Sequence, residues 1–385
     1  MKSAEQIPQV LIVAGEASSA LYATRLLEHW RGQGRRVHGF GVGSQAMVDL
    51  GFEALGRSEN MAVVGIQEVL AHYKEIKATF NELLLEAKRR RPRFALLLDY
   101  PDFNLRLAKL LKAMGIRVIY YISPQLWAWR KGRIRQVQDY VDKMLVVFPF
   151  EVEFYKQYGV DVSFVGHPLL DELKDSLFDP QARAQERACL GWSAETTVIG
   201  LMPGSRRSEI QHHLETQIAT AHSVRAMAPH VQFALLVAPG LRKEDLERQL
   251  AGEGLPITLL NADPFTMIRL MDIILTASGT ATLMVGLMRV PMVIMYKMNR
   301  LSAWLARRLV GMKYFGMVNL VLGREVVPER FQERATPEEL SQLLVDWVQD
   351  DQARVKVSQD LGHLREALGR QGATVRVAEL LEAFF

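Results

Sequence analysis

The stretch at residues 197–210, TVIGLMPGSRRSEI, decides how the chain folds. Its apolar part, Val198–Met202, is typical of a buried strand, and the pattern over 208–227 predicts a helix. Gly204 and Ser205 lie between them in a tight turn. A glycine turn between a strand and a helix presents unpaired backbone N–H groups and the positive end of the helix dipole. We therefore expect an anion-binding turn here.

Two arginines follow this turn, Arg206 and Arg207, at a helix start where acidic residues are favoured. Cations are unfavourable there unless an anion lies between them and the dipole, so the pair favours a phosphate-like ligand. A second turn of small residues follows the predicted strand at 273–276. Its residues are Ser278, Gly279 and Thr280. Two such turns on neighbouring strands support a phosphate site more strongly than one. The alternative is an ordinary strand–turn–helix with solvated arginines.

The rest of the chain alternates strands and helices, which predicts an α/β fold with doubly wound parallel sheets. Strands are predicted at 9–14, 36–42, 94–98, 116–122, 144–147, 162–165, 198–202, 232–237, 257–260, 273–276 and 292–295. The pattern from 337 onwards is helical. The expected organisation is a first domain at 1–170, a polar linker at 171–196, a second domain at 197–348 and C-terminal helices at 349–385.

Composition restricts the class of protein. A chain of 385 residues, 49% of them hydrophobic, is long enough for two domains. The net charge of +4 favours anionic partners only mildly. The single cysteine, Cys189, excludes an intrachain disulfide and a cysteine-rich metal site. No apolar run approaches the roughly 18 residues of a membrane span, and no secretory signal is evident. We expect a cytoplasmic protein.

Two carboxylates, Asp99 and Asp102, follow the predicted strand at 94–98. Ligands of open α/β sheets bind at the carboxyl ends of the strands, so both are candidates for a general base. Capping of the next helix is the alternative for Asp102. The turn after the first strand reads GEAS, not GxGxxG, so a nicotinamide cofactor is not expected, and we predict no cofactor.

The stretch at 61–70, MAVVGIQEVL, contains six apolar residues: Met61, Val63, Val64, Ile66, Val69 and Leu70. They predict either a core-facing helix or an apolar surface that docks on a membrane, with Lys74 and Lys77 meeting anionic lipid. The basic run at 88–93, KRRRPR, is explained by the end of a helix. No aromatic residues interleave with it, so nucleic acid is not an expected partner.

A collinear series of segments resembles the lipid-A-disaccharide synthases, which are inverting glycosyltransferases of the GT-B fold. The series covers residues 8–335 approximately, and its motifs are specific as a set. The segments are GEAS (15–18), MAVVGIQEVL (61–70), DYPDFN (99–104), SPQLWAWR (123–130), FVGHPLLD (164–171), LMPGSRRSEI (201–210), ASGTATL (277–283), VPMVIMYKM (290–298) and VNLVLGREVVPE (318–329).

The resemblance implies two Rossmann-like domains with a cleft between them and a helical C-terminal segment that packs on the first domain. It also implies transfer from UDP-2,3-diacylglucosamine to 2,3-diacylglucosamine 1-phosphate, without a metal, with Asp99 as the base and Asp102 in reserve. The residues implied for substrate and UDP are Glu16, Ser18, Gly204, Ser205, Arg206, Arg207, Glu209, Ser278, Gly279, Thr280, Asn319 and Glu325.

The resemblance further implies a peripheral protein on the inner face of the inner membrane, with its apolar 61–70 stretch on the lipid surface. Exchange of the C-terminal helices between two copies, which makes a homodimer, is left open.

Three positions, in two places, depart from the family pattern. Ser19 and Ala20 stand where the family usually has Gly-Asp, and Met284 stands where it usually has Glu. None of these residues supplies a carboxylate, and we expect Ser19 and Ala20 to supply no helix cap. One alternative function is therefore a weak or inactive homologue that binds UDP or lipid. Another is a UDP-sugar epimerase of the same fold, which the SPQLWAWR and VNLVLGREVVPE segments disfavour.

Overall fold

The structure is a computed structural model that describes residues 7–61, 66–124, 126, 131–239, 241–299 and 313–385, except for the side chains of 59, 60, 66–73 and 131. The chain divides into two compact units. The first comprises Met1–Asp171 with Leu368–Phe385, and the second comprises Glu172–Ala367. One parallel sheet forms the centre of each unit.

Seven strands form the sheet of the first unit. They are β1 (Gln9–Ala14), β2 (His38–Gly43), β3 (Glu53–Arg57), β4 (Phe94–Leu98), β5 (Arg117–Tyr121), β6 (Lys143–Val146) and β7 (Val162–Phe164). Their spatial order is β3-β2-β1-β4-β5-β6-β7, and every pair is parallel. The strand order reverses between β1 and β4, where Ala14 pairs with Leu98. The carboxyl ends of these two strands therefore form the edge where sheets of this type bind ligands.

Helices cover both faces of this sheet. They are α1 (Ala17–Gly32), α2 (Gln45–Asp49), α3 (Ser58–Met61), α4 (Ile66–Arg90), α5 (Pro101–Ala113), α6 (Ile134–Tyr140) and α7 (Pro149–Lys156), with 3₁₀ turns at Lys131–Arg133 and Pro168–Leu170. All five residues of β4 are buried, as are the side chains of Leu11 and Tyr120. Strands buried on both faces need continuous apolar sequence, which is why β1 and β4 were readable from the sequence.

Six strands form the sheet of the second unit. They are β8 (Val198–Met202), β9 (Gln232–Leu236), β10 (Ile257–Leu260), β11 (Ile273–Ala277), β12 (Met292–Tyr296) and β13 (Glu329–Phe331). Their order, β10-β9-β8-β11-β12-β13, repeats the topology of the first unit, again with parallel pairs. β8 and β11 are therefore the counterparts of β1 and β4, and Met202 pairs with Thr276 between them.

Eight helices belong to the described part of the second unit. They are α8 (Pro180–Cys189), α9 (Arg207–Met227), α10 (Lys243–Leu250), α11 (Pro264–Arg269), α12 (Thr280–Leu287), α13 (Met317–Leu322), α14 (Pro337–Gln349) and α15 (Asp351–Ala367), with 3₁₀ turns at Asp175–Phe178 and Gln332–Arg334. α9 packs on α14, and their apolar residues join Ile199 and Leu275 in one core.

The segment at 171–196, expected to be a linker, is largely part of the second unit. Its helix α8 carries Arg187, which is 3% exposed. Arg187 donates to the carbonyl of Leu270 at 2.6 Å and to the Asp272 carboxylate at 3.1 Å, and Arg183 donates to Asp272 at 2.8 Å. The polar composition that suggested a linker reflects these ion pairs.

The C-terminal helices are divided between the units, which differs from the expected boundary at 348/349. α15 stays with the second unit, where Leu364 is buried. The last helix, α16 (Ala373–Leu381), belongs to the first unit with the final turn Glu382–Phe384. The Asp171 carboxylate accepts bonds from the backbone N–H groups of Gly372 at 2.6 Å and Thr374 at 3.0 Å, and so caps the start of α16.

Candidate active site

Asp99 follows the central strand β4 in a strained turn. Asp99 and Tyr100 both have a φ of +48°, the left-handed region that non-glycine residues rarely adopt. The amide of Asn104 donates to the carbonyls of Leu98 at 3.1 Å and Asp99 at 2.8 Å, and the Tyr120 hydroxyl donates to the Asp99 carbonyl at 2.5 Å. Such conformations cost roughly 1–3 kcal/mol each and cluster at functional sites. The buried contacts fix the backbone from which the Asp99 carboxylate projects.

Glu16 lies at the same edge, on the turn between β1 and α1. A side chain at Gly15 would place its Cβ 3.0 Å from the Tyr100 ring, so the two turns are in close contact. The pKa of Tyr100 is raised by burial and, to a smaller extent, by the charges of Glu16 and Asp102. The structure therefore brings Glu16 and Asp102 to the same tyrosine, next to Asp99.

Asp102 has a different environment from Asp99. It lies in the first turn of α5, its side chain is 60% exposed, and Arg133 forms an ion pair with it at 2.5 Å. An acidic residue in the first turn also suits the helix dipole. These contacts account for Asp102 without a catalytic role, although its position beside Tyr100 keeps it close to the candidate base.

The departures at positions 19 and 20 are buried. Ser19 is 0% exposed and Ala20 is 2% exposed. The Ser19 hydroxyl accepts from the Glu16 N–H at 3.0 Å and donates to the Glu16 carbonyl at 2.8 Å. The expectation that Ser19 supplies no cap was wrong, because a hydroxyl closes the first turn of α1 from this position. Ser18, next to it, is half-buried.

In the second unit, the turn after β8 is closed by Glu209. Its carboxylate accepts from the backbone N–H groups of Ser205 at 2.9 Å and Arg206 at 3.3 Å, and the Arg206 guanidinium donates to it at 3.1 Å. Gly204 has a φ of +129°, and a Cβ there would lie 2.5 Å from Glu209 Oε2. Only glycine fits. Glu209 was expected to contact the ligand, but here it occupies the N–H groups that were assigned to an anion.

Arg206 and Arg207 differ in their burial and in their contacts. Arg206 is partly buried against Glu209, whereas Arg207, the first residue of α9, is exposed. Arg207 lines a cavity of about 480 Å³ between α9 and α10, together with Leu241 and Arg242. Arg242 is paired with Asp245 at 3.0 Å. The two adjacent arginines therefore supply one charge to the turn and one to the open surface beside it.

The second turn of small residues lies beside the first, as predicted, because β8 and β11 are neighbours. Gly279, with a φ of +151°, and Thr280 are exposed at the start of α12. The first backbone N–H groups of a helix have no partner within it, so this end of α12 suits an anion. The Ser278 hydroxyl donates to the Phe315 carbonyl at 2.9 Å, which ties the turn to the segment before α13.

Asn319 is closed to ligands, which corrects its assignment to the nucleotide. It is 0% exposed. Its amide donates to the Val327 carbonyl and to Glu329, both at 2.7 Å, and its oxygen accepts from Val326 N–H at 2.8 Å and Val327 N–H at 3.1 Å. Every polar position of the side chain is used within the protein. Asn319 therefore holds its own segment in place, while Glu325 is exposed.

Glu329 is a residue that sequence reasoning missed. Its carboxylate accepts from the N–H groups of Phe315 at 2.8 Å and Gly316 at 3.0 Å, as well as from Asn319. Burial raises the pKa of Glu329, although these three hydrogen bonds act in the opposite direction. Through Phe315, Glu329 and Ser278 are parts of one connected network. The sequence contains no spacing that would have indicated this network.

The apolar stretch at 61–70 is partly described. Met61 is 2% exposed and belongs to the core of the first unit, so its assignment to a membrane surface was wrong. Val63 and Val64 lie outside the described residues, as do Trp127 and Trp129 of SPQLWAWR. Ile66, Val69 and Leu70 lie in the first turns of α4, where side chains are also outside the description. In the part of the chain that the structure describes, no helix is long and apolar enough to cross a bilayer.

Comparison with known families gives a match over nearly the whole chain. The model of the lipid-A-disaccharide synthetase family matches residues 10–384. The chain belongs to this family. Its relatives include the lipid-A-disaccharide synthases of Trichlorobacter lovleyi, 40% identical over 97% of this chain and 96% of the relative, and Anaeromyxobacter sp. strain K, 41% identical over 96% of each. The predicted family and its glycosyltransferase class are confirmed.

Solved structures with low sequence identity show the same fold. The UDP-GlcNAc 2-epimerase from Neisseria meningitidis, bound to UDP-GlcNAc, has a TM-score of 0.66 at 12% identity, over 97% of this chain and 100% of that one. Anabaena HepE in complex with UDP-glucose has a TM-score of 0.59 at 13% identity, over 98% and 100%. The predicted α/β GT-B fold, with two doubly wound units and a helical C-terminal segment, is confirmed.

Proposed function

We propose that this member of the family joins UDP-2,3-diacylglucosamine to 2,3-diacylglucosamine 1-phosphate. Asp99 removes the proton from the acceptor 6-hydroxyl while that oxygen forms its bond to C1 of the donor sugar. The bond between C1 and the diphosphate breaks on the opposite face, and UDP leaves. The products are a β-1,6-linked disaccharide 1-phosphate and UDP. The single observation that carries the catalytic assignment is the rigidly held turn of Asp99 at the ligand edge of the first sheet.

The second unit is assigned to the donor nucleotide. The turn at Gly204 and Ser205 and the N-terminus of α12 adjoin on neighbouring strands, and both offer backbone N–H groups. Arg206 and Arg207 add positive charge, which stabilises the diphosphate as it leaves. A diphosphate that uses the N–H groups of Ser205 and Arg206 displaces the Glu209 carboxylate, because like charges repel at this distance. UDP-bound neighbours of the same fold support this assignment.

The lipid substrates call for contact with a membrane surface. We assign this contact to the apolar stretch at 61–70 without Met61, and we place the protein on the inner face of the inner membrane. Replacing Val64 and Ile66 with Ser reduces binding to liposomes without lowering the melting temperature if these side chains face lipid. A large fall in melting temperature would show that they belong to the core.

A homodimer is proposed in which α16 is exchanged between copies. Its buried apolar residues and its cap by Asp171 make it a separable element with a specific binding site. Sedimentation of the full chain tests this: a monomer at all concentrations contradicts it.

The function itself is tested by incubating the protein with both lipid substrates and separating the products. We expect disaccharide 1-phosphate and UDP in equal amounts. Release of free monosaccharide would indicate the epimerase or hydrolase type of chemistry instead, and no product would indicate the inactive homologue. Asp99→Asn is the matched control for background transfer.

A further inference from the structure

Helix α9 places two buried polar side chains beneath the carboxyl edge of the second sheet. His213 and Gln217 are one helical turn apart, and both are 0% exposed. The Gln217 amide lies 3.2 Å from the carbonyl of Met202 and 3.3 Å from that of Leu275, in the adjacent strands β8 and β11. Buried polar groups are in most cases hydrogen-bonded within the protein, as these two are. The pair therefore connects α9 to the strands that carry the two turns.

His213 makes the longer connection. Its Nδ1 lies 2.8 Å from the carbonyl oxygen of Pro203, and its Nε2 lies 3.0 Å from both the backbone nitrogen and the carbonyl oxygen of Lys297. A neutral ring has one proton, and on Nδ1 it satisfies both sides: Nδ1 donates to the Pro203 carbonyl and Nε2 accepts from the Lys297 N–H. With the proton on Nε2, Nδ1 would face the Pro203 carbonyl without a donor. Burial lowers the pKa of His213, which favours this neutral form. One imidazole thus joins the turn after β8 to the residue after β12.

The Pro203 carbonyl lies at the start of the turn to which the diphosphate is assigned. Gly204 follows it, and the N–H groups of Ser205 and Arg206 come next, held by the Glu209 carboxylate. The turn is therefore held on its N–H side by Glu209 and on its carbonyl side by His213. When an anion takes the place of Glu209 at the N–H groups, the contact between His213 and Pro203 still fixes the peptide from which the turn starts.

We propose that His213 is a positioning residue for the nucleotide: through Pro203 it sets the direction in which the N–H groups of Ser205 and Arg206 point. The inference rests on the proposed function, which assigns this turn to the diphosphate of UDP. Substrate does not touch His213, so its effect is on nucleotide affinity. Uniform loss of binding raises KM for the UDP-sugar and leaves kcat nearly unchanged.

Three variants separate the two hydrogen bonds of His213. In His213→Asn the amide reaches the position of Nδ1 and keeps the bond to Pro203. In His213→Gln the amide reaches the position of Nε2 and keeps only the bond to Lys297, and His213→Leu keeps neither. The dissociation constant for UDP, measured by calorimetry, should be within about twofold of wild type for His213→Asn. It should be about 3- to 10-fold larger for His213→Gln and His213→Leu, the range expected for one lost hydrogen bond.

Thr220→Val is the matched control, because it removes a buried hydroxyl bond within α9, to the Thr216 carbonyl, without touching the turn. It should lower the melting temperature and leave UDP affinity unchanged. If His213→Leu does not fold, the comparison of His213→Asn with His213→Gln decides. Equal affinity in His213→Asn and His213→Gln, or a loss in His213→Asn as large as in His213→Leu, overturns the proposal. Folded wild-type protein that does not bind UDP overturns the proposed function as well. UDP binding without a difference between His213→Asn and His213→Gln overturns only the role of His213.

Discussion

The six-stranded sheet repeats the strand order of the first six strands of the other sheet, but the carboxyl edges of the two sheets carry different side chains. In the first unit, the edge between β1 and β4 carries the carboxylates Glu16 and Asp99, beside Tyr100. In the second unit, the edge between β8 and β11 carries glycine turns, helix N-termini and two arginines. The first edge therefore offers carboxylates that suit the proposed proton acceptor, and the second offers N–H donors and positive charge that suit the proposed binding of an anion.

The two edges are also held in place differently. Asp99 is fixed by buried partners, Asn104 and Tyr120, that contact its backbone. The turn at Gly204 is held by Glu209, a charged group at the position proposed for the ligand. In the proposed reaction Asp99 keeps the geometry seen here, whereas a nucleotide takes the place of the Glu209 carboxylate at the turn. The comparison predicts that substitutions at the first edge affect turnover and those at the second affect nucleotide affinity.

Asp99→Asn has the largest expected effect. Removal of a positioned base lowers turnover by about 10²–10⁴-fold. The initial rate of disaccharide formation at saturating substrates measures it. Asp102→Asn is the parallel variant, because Asp102 lies on the same turn and pairs with Arg133 at 2.5 Å, and a rate near that of wild type would confine the base to Asp99. Retention of more than half of the wild-type rate in Asp99→Asn would transfer the role to another group, with Asp102 as the first candidate.

Arg207→Ala tests whether the second edge binds the nucleotide. A charged hydrogen bond contributes roughly 1.5–3 kcal/mol, so UDP affinity should fall by about 10- to 100-fold. Arg206→Ala should have a smaller effect, because the guanidinium of Arg206 must first exchange its ion pair with Glu209 for the diphosphate. Calorimetry with UDP gives both values. Arg242→Ala is the control in the same cavity. Unchanged affinity in both Arg206 and Arg207 variants would mean that these arginines are simply solvated.

Met284→Glu tests whether the second edge is impaired as it stands. Met284 is half-buried on α12, and its thioether is a weak acceptor. A carboxylate at this position would accept hydrogen bonds from the ribose hydroxyls. The affinity for UDP should therefore rise by about 10- to 100-fold. Met284→Gln controls for shape without charge. Ala20→Asp is not combined with Met284→Glu. Ala20 is only 2% exposed, so a carboxylate at this position would be buried at a cost in stability. No gain in Met284→Glu would show that this position does not contact the nucleotide.

Deletion of Phe384 and Phe385 should weaken the first unit and spare the second. The Phe385 ring packs against Trp30 at 5.6 Å and Phe94 at 5.2 Å between ring centroids. Loss of these partly buried rings should cost about 1–3 kcal/mol of unfolding free energy. Hydrogen exchange should rise in β4 and stay constant in β8. Phe178→Ala, at an exposed position, is the control. Equal loss of protection in both sheets would contradict the assignment of this segment to the first unit.

Acid should destabilise the first unit through His167. Burial lowers the pKa of His167 to about 3, from 6.5. Between these values the unfolded chain binds the extra proton, so stability is full above about pH 6.5 and falls as pH decreases, by at most about 1.4 kcal/mol per unit. His167 Nδ1 accepts from the Leu169 N–H at 3.2 Å, and in His167→Asn the amide oxygen should accept in its place without titrating. Urea unfolding at pH 7.5 and 5.5 should show a smaller loss for His167→Asn. Equal losses would assign the pH dependence to other groups.

The central strands were predictable from the sequence, whereas two of the edge strands were not. β1, β4, β8 and β11 are apolar apart from Gln9 and Thr276, as strands buried on both faces require, and their sequences predicted their bounds to within one residue. β3 and β13 were missed. They are half-buried edge strands with the sequences EALGR and ERF, which carry charged residues and no apolar run.

The parts of the candidate site that consist of consecutive residues were predictable from the sequence. A strand followed by Asp99, or by Pro203 and Gly204, indicates a ligand edge from local sequence. The contacts of Glu209, Asn319 and His213 join segments through side-chain geometry, and a helical pattern does not reveal which polar residue faces the sheet. Ser19 was misjudged for a similar reason, since its hydroxyl caps from the third position of the helix.

In the proposed reaction, the first unit supplies the base and the second unit binds the nucleotide. Titration of UDP into Asp99→Asn by calorimetry separates these two roles. We expect a dissociation constant within about twofold of wild type, in a variant whose turnover is lost. A loss of UDP affinity as large as that of Arg207→Ala would contradict the claim, because Asp99 would then belong to the nucleotide site.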